Sequence, residues 1–176
     1  MTFKTLKESK LIPLEHLEDT PPELRKEIDG LIAKMIDLDG PGYQFNRCSR
    51  RLREIGRPAI PRLLNKMYET PAKVREDVLV LARIVGALRD TSGVAFGFNP
   101  ADRKDSDIGG TEEERLSALR QWYAWWYTAH NRDFTRAIDK SEGEDLFETD
   151  AEKAARATAE AEARQAAEAA AKKQKK

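Results

Sequence analysis

A run of aspartates, one thiol and two imidazoles are the groups in this sequence closest to catalytic or metal-binding chemistry. Asp102, Asp105 and Asp107 share one polar stretch. Carboxylates so spaced are the raw material of a calcium loop, but such a loop needs a bidentate Glu at its twelfth position. Counted from Asp105, that position is Leu116. Cys48 is the one cysteine and sits on an apolar helical stripe, where a thiol serves as inert packing. His16 and His130 lie far apart, and neither belongs to a ligand or triad spacing. No phosphate-cradling glycine loop or nucleophile elbow occurs, and Gly93 and Gly97 read as turn glycines. The expectation is a protein that is not an enzyme, with no catalytic residues, no cofactor and no metal, because no acid, base and nucleophile converge.

Two other constellations suit binding. Arg47, Arg50, Arg51, Arg53, Arg57, Arg62 and Lys66 crowd one stretch in which Glu54 is the single acid. Such a face suits phosphates or an acidic peptide. The plainer reading is a solvated face neutralised by nearby acids, for example those of residues 139–150. The second constellation is aromatic. Trp125 points almost opposite Leu116 on its helix, Trp122 lies at the edge of the core face, and Phe96 and Phe98 precede them in a long loop. Phe96, Phe98, Trp122 and Trp125 are therefore candidate protein-binding residues, unless the loop folds over the tryptophans and covers them.

The elements that position these groups are helical. Residues 1–20 read as an irregular leader from which Ile12, Leu14 and Leu17 can dock. A helix begins at Pro21, with Thr20 as its cap, and carries Leu24, Ile28, Leu31, Ile32, Met35 and Ile36 on one stripe. A second covers about 43–55; Phe45, Cys48, Leu52 and Ile55 fall within about 80° at 100° per residue. Gly56 stops it, and a third helix starts at Pro58 and buries Ile60, Leu63, Leu64 and Met67. The fourth spans about Pro71 to Arg89, with Val74, Val78, Leu81, Ile84, Val85 and Leu88 on its core face and Leu79 and Val80 outside it. A helix apolar on most sides belongs in the middle of a fold. After the loop of residues 91–110, Thr111 and Glu114 form a capping box. Leu116, Leu119, Tyr123, Trp126 and Tyr127 make the core face of the fifth helix.

The organisation is thus a leader (1–20), a helical domain (21–138), an acidic linker (139–150) and an Ala/Glu/Lys-rich tail (151–176). The tail holds strong helix formers and the pairs Glu152/Arg156, Glu160/Arg164 and Glu168/Lys172, but no large apolar residue. It reads as a frayed solvated helix or a disordered extension. Lys+Arg and Asp+Glu number 31 each in 176 residues, so no global charge steers the chain to nucleic acid or membrane. No apolar signal region opens the chain, and no stretch approaches the roughly 20 apolar residues of a membrane span. One cysteine permits no internal disulfide, and a reducing, cytoplasmic location is expected.

Residues 52–88 resemble a HEAT repeat. Gly56 ends a first helix, Pro58 to Leu64 reads P-A-I-P-x-L-L, and Val74-Arg75 opens the next helix. Where that family often has an Asp in the turn, this chain has Glu69, Thr70 and Pro71. Phe96-Gly97-Phe98-Asn99-Pro100 and the motif of Trp122, Trp125 and Trp126 are similar to small bacterial HEAT-like proteins. The resemblance covers roughly residues 43–130. It implies an all-α fold: a short α-solenoid of about five helices in HEAT-like pairs, with a long loop before the last core helix. It also implies a protein-binding scaffold, since most members act as one and only a few relatives bind DNA or act on prosthetic groups. The expected function is a non-enzymatic adaptor or accessory subunit with a protein partner. The rival is a nucleic-acid- or ribosome-associated protein using Arg47, Arg50, Arg51, Arg53, Arg57 and the basic C-terminus, which strong salt dependence of binding would reveal.

Overall fold

The computed structural model describes residues 6, 7, 10–96, 98, 111–127 and 148–174, with side chains to residue 166 in the last stretch. Among them are six α-helices and no β-strand: α1 (Pro22–Ile36), α2 (Gly42–Ile55), α3 (Ile60–Glu69), α4 (Arg75–Ser92), α5 (Glu112–Trp125) and α6 (Asp150–Gln174). None is long and apolar enough to cross a membrane. Gly56 at φ 72° and Gly93 at φ 74° end α2 and α4 in the left-handed conformation that glycine adopts without strain.

α1 and α2 run antiparallel. The Arg51–Glu27 pair and the bond from Gln44 Nε2 to the Lys34 carbonyl tie opposite ends of the two helices together. α4 packs against α1, α2 and α3, and α5 against α3, which puts α4 at the centre as its broad apolar surface requires. Ile28, Met35, Leu52, Leu63, Leu64, Met67, Leu81, Ile84, Leu88 and Leu119 are fully buried. α4 begins at Arg75 rather than near Pro71, because Asp77 accepts from the Val74 N–H (3.4 Å) and residues 71–74 form a bend. Val74 consequently stands half exposed instead of joining the core face.

The leader is more than a loose dock. Leu6 and Leu11 are buried in the core, Leu14 and Leu17 pack on it, and Ile12 faces solvent. Asn65 holds the Leu14 backbone on both sides: Oδ1 accepts its N–H (2.6 Å) and Nδ2 donates to its carbonyl (2.7 Å). Tyr123 and Tyr127 donate to the carbonyls of Ile12 (3.0 Å) and Lys10 (3.3 Å). Arg25 donates to the carbonyls of Leu17, Glu18 and Thr20. Thr20 does not cap α1; Pro21 takes that place, and the buried Thr20 hydroxyl has no partner among the described residues. Replacing Asn65 with Ala leaves a part-buried backbone N–H and C=O without these bonds, at about 1–3 kcal/mol. Urea unfolding measures this. A loss below about 0.5 kcal/mol would mean that the strap at Leu14 contributes little.

The tail is helical and turns nearly every described side chain to solvent; Arg156 alone is half-buried. Its ion pairs differ from those expected on spacing. Glu152 is taken by Thr149 and Lys7, so Arg156 pairs with Glu148 and Glu160 instead. Arg164 reaches Glu113 rather than Glu160. The side chains of Glu168 and Lys172 lie outside the described residues, as do 139–147 of the acidic linker.

Candidate functional site

Two recurring arginine contacts explain how the helix ends are held. Arg83 of α4 donates to the carbonyls of Met35 (3.0 Å) and Asp37 (2.7 Å), beyond which α1 has no further turn to bond them. Its guanidinium also stacks over the Phe45 ring, 5.7 Å from the centroid. One helix further on, Arg115 of α5 donates to the carbonyls of Met67 (2.7 Å) and Tyr68 (3.4 Å) at the end of α3. Arg115 is buried and makes a bidentate pair with Glu112, whose Oε2 also accepts the Ala72 N–H (2.7 Å). The Arg115 hydrogen bond, opposed by partial burial, holds the Glu112 carboxyl below its usual range. The sequence reading missed both arginines and Asn65. The available signals were a polar residue among Leu63, Leu64 and Met67, and Glu112 three residues before Arg115 on one helix face.

The aromatic end is built on α5. Thr111 and Glu114 cap it reciprocally (3.1 and 2.8 Å). Its buried face is rotated from the expected one: Arg115, Ala118, Leu119, Trp122, Tyr123 and Trp126 are inside, and Leu116 is half-buried. The cause is the incoming loop. Phe98 is itself buried, held by Arg89 through its carbonyl (3.2 Å), and Phe96 meets Trp122 edge-on at 4.9 Å. Trp125 also meets Trp122 edge-on, at 5.6 Å. Of the four aromatic candidates, Phe98 and Trp122 are therefore interior and offer no surface, while Phe96 and Trp125 form a half-buried rim. Burial raises the Tyr123 and Tyr127 hydroxyls above the usual phenol range, so both remain protonated donors to the leader.

The basic candidates divide. Arg51 pairs with Glu27 (2.7 Å) and Glu54 (3.4 Å), and that bond lowers the Glu27 carboxyl and raises Arg51. Arg57 approaches Asp19 (4.0 Å), Arg62 pairs with Asp29 (2.8 Å) and Lys66 with Glu69 (3.2 Å). Arg47, Arg50 and Arg53 are exposed and make no ion pair with any described residue.

Cys48 is buried on α2, the helix that packs against α1 and α4. His16 Nε2 lies 3.4 Å from Asp29, and His130, Gly97, Asp102, Asp105 and Asp107 lie outside the described residues. Among the described residues no group of three His, Cys, Asp or Glu side chains could hold a metal ion. A shallow cleft between α1 and α3 has Ile32, Ala33 and Ile36 along one wall, and its charges pair off as Asp29–Arg62 and Lys66–Glu69. Compared with known proteins, the chain matches no family model, no curated protein and no solved structure.

Proposed function

We propose that this chain is a non-enzymatic adaptor or accessory subunit that binds a protein partner, and that its helices form a short HEAT-like solenoid. The antiparallel α1–α2 pair, the central α4 and the α3–α5 packing support the solenoid reading. The observation that carries the binding reading is the aromatic rim. Phe96 and Trp125 are half-buried and braced edge-on against a fully buried Trp122. Aromatic side chains held on a rigid base bury large area with little ordering cost, which is the profile of a hot spot. The lone Cys48 supports a reducing, cytoplasmic setting.

The test is quantitative co-purification with tagged full-length protein, followed by affinity measurement on the partner recovered. Trp125→Ala should weaken that partner by about 2 kcal/mol or more, roughly 30-fold. The same variant should shift the melting temperature by only a few degrees, because the ring is half-buried. The reading is overturned if capture is unchanged by Trp125→Ala and Phe96→Ala together while the chain stays folded.

A further inference from the structure

We propose that the outer ridge of α2, formed by Tyr43, Arg47, Arg50 and Arg53, is a binding surface for single-stranded nucleic acid. It is separate from the aromatic rim: α2 packs on α1 and α4, whereas α5 packs on α3. Four arginines against one glutamate leave α2 with a net charge of +3 in a chain whose total is zero.

The contrast with the neighbouring cations carries the argument. Arg51, Arg57, Arg62 and Lys66 are each matched to a carboxylate, and Arg25, Arg83 and Arg115 are spent on carbonyls. Glu54, the single acid of α2, is taken by Arg51. Arg47, Arg50 and Arg53 are left exposed with no acid among the described residues to neutralise them. The register of the α1–α2 pair explains this. Glu27 meets Arg51 and Lys34 meets Gln44, and the one acid of α1 between those contacts, Asp29, is taken by Arg62, which leaves none for Arg47. A merely solvated face is normally interleaved with acids, as α6 of this same chain is, and like charges three residues apart oppose helix formation.

Chemistry selects the partner. A protein interface is anchored by apolar side chains at its centre. Here Phe45, Cys48 and Leu52 point inward, and the outer ridge carries arginines, Asn46, the Glu54 that Arg51 engages and a single ring, Tyr43, which is 71% exposed. Guanidinium forks match phosphate oxygens, and an exposed tyrosine gives an unpaired base a face to stack on. The row from Tyr43 to Arg53 is about 15 Å long at 1.5 Å per residue, enough to follow a strand past more than one phosphate. A duplex would leave the tyrosine without use, because its bases are already stacked.

The experiment is fluorescence anisotropy of full-length protein with a labelled oligouridine of about 12 nucleotides. Binding should saturate, with log K falling against log salt at a slope near −2, from three phosphates at ~0.7 each. Arg47→Ala and Arg50→Ala should each cut that slope by about 0.7, and Arg47→Glu/Arg50→Glu should weaken binding by at least about tenfold. Tyr43→Ala should weaken binding severalfold and leave the slope alone. Lys26→Glu/Arg75→Glu makes the same charge change at exposed positions elsewhere and should stay within about twofold of wild type. Thermal melts confirm that each variant is folded. Three results overturn the proposal: no binding at about 50 mM salt, equal loss in the Lys26/Arg75 pair, or polyglutamate competing as well as RNA while Tyr43→Ala has no effect. The last would mark the ridge as a dock for an acidic protein.

Discussion

Replacing Trp122 with Ala should remove about 3–5 kcal/mol of stability, the range for emptying a fully buried large aromatic site. The indole is fully buried and meets both Phe96 and Trp125 edge-on. Its loss therefore strips packing from the loop as well as from α5. A domain of this size has about 5–15 kcal/mol in all, so the variant should show a strongly lowered urea midpoint and populate unfolded chains near body temperature. Trp122→Phe separates ring volume from the polar group. The buried indole N–H has no hydrogen-bond partner among the described residues, so giving it up sacrifices no bond there, and Phe should recover much of the loss. A cost below about 1 kcal/mol for Trp122→Ala would show that the 94–98 segment does not pack over α5 as described.

What was legible in the sequence divides along the range of the forces involved. The apolar stripes of α1 to α4 follow from helical periodicity, and Ile28, Leu52, Leu63 and Leu81 lie where their spacing puts them, in the core. Gly56, Gly93 and the Thr111/Glu114 box are equally local, since each acts within one turn of its own helix end. On α5 periodicity places Leu119, Tyr123 and Trp126 inside but not Trp122, because the burial of Trp122 answers to a segment 24 residues upstream, which brings Phe96 and Phe98 to this end of the fold. The leader was underestimated for the same reason. Its hold comes from the side chains of Asn65, Tyr123 and Tyr127 reaching its backbone, and backbone groups carry no sequence signature.

The candidate basic face was legible as composition but not as a site. Seven cations crowd residues 47–66, and only pairing across helices shows which of them are spent. Asp19 and Asp29, which engage Arg57 and Arg62, come from the leader and from α1, each more than 30 residues away. The remaining arginines are informative because of that bookkeeping. Arg47, Arg50 and Arg53 keep their charge available while otherwise similar neighbours do not.

Arg115 is the residue whose loss should most resemble that of Trp122, for an electrostatic reason rather than a packing one. It is buried, and it closes three gaps at once: the Met67 and Tyr68 carbonyls at the end of α3, and the Glu112 carboxylate that also orders the Ala72 N–H. Arg115→Ala leaves the carbonyls short of a donor and Glu112 without its counter-charge. Breaking a buried pair by removing one partner costs about 3–5 kcal/mol. Glu112 keeps 38% of its side chain exposed and can rehydrate, so the expected loss is near the lower end, about 3 kcal/mol. pH supplies the second readout. The folded carboxyl is held below its ordinary value of 4.5, so the stabilisation by the pair is present above that value. It is lost as the pH falls through the lowered folded pKa, where the native state must take up the proton. The gap in urea midpoint between wild type and Arg115→Ala should therefore narrow in steps below pH 4.5 without closing, because the bonds from Arg115 to the α3 carbonyls do not titrate. Glu112→Gln, which cannot titrate, should flatten the acid limb and cost less than Arg115→Ala at neutral pH, because the carbonyl bonds of Arg115 survive. Parallel acid limbs in all three proteins would show that the pair does not couple to folding, leaving the α3 carbonyls as the whole of the Arg115 contribution.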